Sequence, residues 1–130
     1  MKTIWALTGI CLAAAARAAA QGATVTPLMS QPLKEVPGIE GAMVIVEYGP
    51  GGSSPPHRHH AYAFVYVLEG EVTMQLKGGK EVTLGPGQAF SERPEDVHTV
   101  SRNASSTERA RLLVFFVKQK GAPTTVTENP

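Results

Sequence analysis

The 130-residue chain predicts an all-β domain, a small barrel or double-sheet sandwich. Short runs of apolar or alternating residues recur along it, each closed by Gly or Pro. After the first twenty residues, no segment keeps a 3.6-residue apolar period. No repeat at solenoid spacing interrupts this pattern, and the length allows one domain at most.

Residues 1–20 read as a secretory signal. Lys2 opens it, Ile4 to Ala16 form an apolar run, and Ala18-Ala19-Ala20 offer small residues for cleavage before Gln21. The run falls short of the roughly 20 apolar residues of a membrane span, so no stable membrane anchor is expected. The expected location is secreted or periplasmic. Cys11, the single cysteine, lies inside this segment, so residues 21–130 carry none and an apolar core must replace a disulfide scaffold. Without Lys2 and Arg17, ten basic residues face eleven acidic ones, a net of −1. No basic stripe is present, which excludes nucleic acid as the expected partner and favours small-molecule chemistry.

Residues 21–41 contain Pro27, Pro32 and Pro37, which forbid a long helix and confine any strand to an edge; an arm or short edge strands are expected. The barrel is expected over 42–118. Ala42 to Tyr48 is apolar and β-branched, and Gly49-Pro50-Gly51-Gly52 ends it. That glycine run lacks the Lys-Ser/Thr and helix of a phosphate-binding loop. A strand over Ala63 to Leu68 follows, then Glu71 to Lys77, a Gly78-Gly79 hairpin, Lys80 to Leu84, and a return over Gln88 to Glu92. A short run ends at Arg102, and Arg109 to Lys118 is the most apolar strand. Residues 119–130, rich in Thr and Pro, are expected to be a flexible tail.

All four histidines fall in two turn-flanked stretches, His57, His59 and His60 in one and His98 in the other. On an extended chain His57 and His59 project from one face, followed at the same parity by the small Ala61 and Ala63 and by Val65 and Val67. The opposite parity carries Tyr62, Phe64, Tyr66 and Leu68. Imidazoles on strands, open to a cavity, suit a divalent transition metal: Fe, Mn, Ni, Cu or Zn.

Those residues resemble the cupin superfamily. Its first motif has a glycine, five residues, His-x-His, three or four residues, a glutamate, six residues and a glycine, matched here by Gly51, His57, His59 and Gly70. Gly87, Pro94, His98 and Asn103 match the second motif, and the resemblance spans Met43 to Val117. It implies a jelly-roll β-barrel with a three-histidine metal centre of His57, His59 and His98, like small quercetin-dioxygenase-like cupins and the iron sites of cupin thiol dioxygenases. Ala63 stands where the family has its glutamate ligand, and a methyl group cannot ligate. Glu92 is the candidate to compensate, as a fourth ligand, a partner for an imidazole N–H, or a general base in catalysis. His60 is another candidate ligand. Tyr62, Ala63 and Phe90 are candidates for contact with substrate.

The expected function is a metal-dependent small-molecule enzyme of oxygenase type. The alternatives are a non-catalytic ligand- or metal-binding module and a metal-assisted isomerase or lyase. The inward residues are largely aliphatic and aromatic, which favours an apolar or aromatic ligand. The bulky face at Phe64 and Tyr66, with the proline-marked arm, suggests a homodimer.

Overall fold

The computed structural model describes residues 22–128; the expected signal segment lies outside them. Ten strands run through the described chain: β1 (Thr24–Pro32), β2 (Ile39–Tyr48), β3 (His57–Arg58), β4 (Ala61–Glu69), β5 (Val72–Leu76), β6 (Val82–Leu84), β7 (Ala89–Glu92), β8 (Val97–Asn103), β9 (Ala110–Gln119) and β10 (Val126–Thr127). They form two antiparallel five-stranded sheets, ordered β1-β2-β9-β4-β7 and β10-β3-β8-β5-β6. This is the all-β double-sheet architecture that the Gly- and Pro-punctuated runs predict.

Period-2 alternation decides what each sheet turns inward. In β4 the odd positions Ala61, Ala63, Val65 and Val67 are buried, while Tyr62, Phe64, Tyr66 and Leu68 face outward. Along β9, Ala110, Leu112, Val114 and Phe116 point into the core, where Ala42, Val44 and Tyr48 of β2 meet them. The β4–β5 turn needs Gly70, whose φ is +72° and whose missing Cβ would collide with the Arg109 carbonyl.

Three expectations need restating. The proline-marked segment is one nine-residue edge strand, β1, with a register shift between Pro27 and Met29. The histidine stretch and Ala61–Val67 do not share a strand. The chain breaks at His59-His60, where the Ala61 amide bonds back to the His59 carbonyl, and passes from one sheet to the other. The segment after Gln119, expected to be flexible, folds back onto the barrel. Its anchors are the β10–β3 pairing, the Arg58–Glu128 ion pair, and the Lys118 ammonium bonded to the Ala122 carbonyl at 2.6 Å. Local composition signals fraying, but the backbone groups of this tail find partners that lie far away in sequence.

Candidate metal centre

Adjacent strands of the second sheet bring two histidines together. His57 of β3 pairs directly with His98 of β8, their rings stacked with centroids 5.0 Å apart. His59, in the crossover after β3, sets its ring edgewise 4.9 Å from His57. One ligating nitrogen from each of the three lies within 4.8 Å of the others. Two nitrogens at metal-bond distance from one ion are separated by about 3–4 Å, so small ring rotations close this cluster.

The protein fixes which nitrogen each ring offers. His57 Nδ1 lies 2.8 Å from the Pro55 carbonyl and His59 Nδ1 lies 2.6 Å from the Thr124 carbonyl. A carbonyl can only accept, so both Nδ1 atoms carry the proton and both Nε2 lone pairs remain free. Backbone carbonyls of this kind orient metal-ligating imidazoles. Burial holds both pKa values below the usual imidazole value, opposed by those same carbonyl contacts and by Glu92, and thus favours the neutral, ligating form. Thr124 had no signature in the sequence: a backbone carbonyl is available at any residue, and only the tail's path selects this one.

Glu92 completes the cluster. Its Oε1 lies 2.8 Å from His98 Nε2 and its Oε2 lies 3.8 Å from His59 Nε2. The residue is 3 % exposed, and Oε2 has no hydrogen-bond partner, nor does His98 Nδ1. A buried carboxylate oxygen left unpartnered beside free imidazole lone pairs is the donor set of a cation site. The residues therefore fit a metal ion.

The position of Glu92 also bears on the alanine at the expected ligand position. In the β4–β7 pairing Ala63 lies directly opposite Glu92. Side chains so paired have Cβ atoms about 4.5–5.5 Å apart on the same face of the sheet. The small residue at 63 leaves room for a carboxylate that arrives from the next strand.

The other candidates separate. Phe90 lines the cavity, its ring edgewise to His98 with centroids 6.0 Å apart. Ala63 is fully buried beneath Glu92. His60 is exposed in the turn between sheets and stands outside the cluster. Tyr62 is 51 % exposed on the outer face of β4, so it does not reach the cavity; the strand's alternation that buries Ala61 and Ala63 turns it outward. Asn103, which fits a glycosylation pattern, is buried, with its amide donating to the Gly49 and Glu108 carbonyls and accepting from the Ser105 amide.

The centre opens on a cavity of about 340 Å³ between the sheets. Six aliphatic side chains from β2, β4, β5 and β9 line it together with Ser54, Ser101 and three threonines of the tail, and no lysine or arginine lines it among the described residues. Among those residues, no helix is long and apolar enough to cross a membrane.

Comparison with known proteins agrees with this geometry. The Cupin domain model matches residues 44–116. L-proline trans-4-hydroxylase of Streptomyces griseoviridis is 31 % identical over 98 residues, which cover 71 % of this chain and 37 % of that protein. Recombinant oxalate oxidase in complex with glycolate is similar in structure, with a TM-score of 0.63 and 27 % identity over 85 % of this chain and 57 % of that one. The polyketide cyclase RemF from Streptomyces resistomycificus gives a TM-score of 0.55 at 27 % identity, covering 68 % of this chain and 62 % of its own. The chain thus spans little more than a third of the hydroxylase and less than two thirds of either solved structure.

Proposed function

Because this chain belongs to the cupin family, we propose that it is a metal-dependent enzyme of oxygenase type, acting on a small, largely apolar molecule. One observation carries the reading. Three imidazoles with their ligating nitrogens within 4.8 Å face a buried carboxylate that has an unpartnered oxygen, at the wall of an apolar cavity. The hydroxylase and oxidase among the relatives favour redox chemistry over hydrolysis.

His57, His59 and His98 would hold the ion. When bound, it supplies Lewis acidity and, if it is redox-active, an electron path to oxygen. The 2.8 Å contact between Glu92 and His98 Nε2 is one that a bound ion would replace, and the free Oε2 of Glu92 can take a proton from a substrate hydroxyl or C–H. The aliphatic wall excludes water and strengthens every polar contact inside.

Two further features belong to the proposal. Export is supported by the signal pattern of residues 1–20. A homodimer is supported by the outer face of the first sheet, where Tyr62, Phe64, Tyr66 and Phe115 are all exposed. Elution of the purified protein as a monomer at micromolar concentration would remove the dimer.

The deciding experiment is the metal content of residues 21–130 beside His57→Ala and His98→Ala. About one equivalent of Fe, Mn, Ni, Cu or Zn, lost in both variants, is expected. A protein that takes up no metal even after reconstitution would be a ligand-capturing barrel instead of an enzyme of this type.

A further inference from the structure

The β3–β8 register that pairs His57 with His98 continues away from the histidines. The next bridge joins Ser53 to Arg102, and the Ser54 amide donates to the Ser101 carbonyl at 2.9 Å. One rung of this ladder thus carries two imidazoles. Three residues along, roughly 10 Å at strand rise, another carries two hydroxyls. Strict alternation would turn a residue three positions away to the opposite face. In β8 the register with β5 slips between Gln75 and Leu76, leaving Thr99 as an extra residue, and both His98 and Ser101 are buried. On the other chain Pro55-Pro56 interrupts the strand between Ser54 and His57.

Tyr48, at the end of β2, joins the second rung. Its hydroxyl lies 2.9 Å from Ser54 Oγ and 2.8 Å from Ser101 Oγ. Tyr48 is 2 % exposed and Ser101 5 %, and all three residues line the cavity of the metal centre. Three hydroxyls hold three protons, and two bonds among them use two. One proton is therefore left over, and none of the three side chains donates it to another protein group among the described residues.

We propose that Tyr48, Ser54 and Ser101 form a substrate-recognition subsite that donates a hydrogen bond to a neutral oxygen acceptor at the end of the substrate remote from the metal. The inference rests on the metal-centre reading above. The same cavity is lined by the aliphatic Val44, Val65, Met74, Leu112 and Val114. The substrate is then elongated: a metal-seeking end, an apolar body, and a carbonyl or ether oxygen at the far end. A carboxylate there would be buried with no cation in the cavity wall, which is costly. The subsite thus selects a neutral molecule and disfavours dicarboxylates.

The test uses zinc-loaded protein and isothermal titration with two probes, 4-propanoylcatechol and 4-propylcatechol. Both offer chelating oxygens and an apolar ring, and only the first has a ketone across the ring. The quantity read is the ratio of their affinities in the wild type and in Tyr48→Phe/Ser54→Ala/Ser101→Ala, which removes every donor of the cluster; the ratio cancels any effect of the ketone on chelation itself. The ratio is expected to fall about five- to tenfold in this variant, the worth of one hydrogen bond. A ratio unchanged in this variant, with zinc still bound, would overturn the subsite alone. Absence of zinc from the wild type would sink the metal centre, and this inference with it. A third probe, 3,4-dihydroxybenzoate, is expected to bind the wild type at least about tenfold more weakly than the ketone. Equal or tighter binding would overturn the neutral-acceptor assignment.

Discussion

In the first sheet β1, β2, β4 and β9 run for nine or ten residues each, whereas in the second no strand exceeds the seven of β8. Of these, β4 and β9 keep strict alternation, and together with β2 they contribute most of the buried aliphatic residues. The short-stranded sheet holds His57 and His98, and its irregularities, Pro55-Pro56 and the extra residue at Thr99, set what faces the cavity. Regular strands make a wall that cannot easily be re-aimed. A bulge or a broken strand can direct a side chain that alternation would turn away. Glu92 is the one acidic group of the centre from the first sheet, and it sits on β7, the shortest strand there, at four residues. The candidate metal centre of this molecule lies where pairing is short.

That division can be broken most directly by stability measurements. Phe116→Ala, in the wall, is expected to lower the unfolding free energy of the metal-free protein by about 3–5 kcal/mol, because it leaves a cavity in β9. His57→Ala, on the short-stranded side, is expected to lower it by about 1–2 kcal/mol while abolishing metal uptake. Equal losses in urea titrations would erase the distinction between the sheets.

A sharper probe moves the carboxylate. Glu92→Ala is expected to weaken metal binding by about 10- to 100-fold in a chelator competition. Adding Ala63→Glu, directly across the β4–β7 pair, should recover most of that loss. No recovery in a folded double variant would mean that the two positions are not equivalent around the ion.

The tail tests whether the centre depends on a third region. Truncation after Lys120 removes the Thr124 carbonyl from His59 and the β10 pairing from β3. Metal affinity should drop by about tenfold, although the aliphatic residues of β2, β4, β5 and β9 stay in place. Unchanged affinity would make the tail a cover without influence on His59.

The smallest effect is one of pH. Burial lowers the pKa of His57 and His59 below the ordinary 6.5. Above 6.5 both folded and unfolded chains hold them neutral, and stability is level with respect to these groups. Below 6.5 the unfolded chain takes up protons that the folded one refuses. Stability of the metal-free protein then falls by at most about 1.4 kcal/mol per pH unit for each histidine, until the lowered folded values are reached. His57→Ala should flatten part of this slope. A wild-type denaturation midpoint that rises on acidification from 7 to 5.5 would contradict the sign.

The β class, the inward parity of Ala61 to Val67 and the histidine triad were legible in the sequence. Each depends on local periodicity or on motif spacing, and alternation holds within a single strand whatever lies beside it. The same parity also placed Tyr62 outside, although an aromatic next to the histidines invites a role in binding. The tail misled, because a stretch rich in Thr and Pro lacks a strand pattern of its own and gains order from distant partners such as Arg58 and His59.

Sequence alone therefore determined the kind of fold and which three imidazoles could hold a metal ion. Tertiary structure decided that Glu92 faces Ala63, that the Thr124 carbonyl holds His59, and that Tyr48 meets two serines three residues along the histidine ladder. The physical reason is register. Which residue lies across from which is set by the pairing of strands far apart in the chain, and by bulges that shift that pairing by one residue.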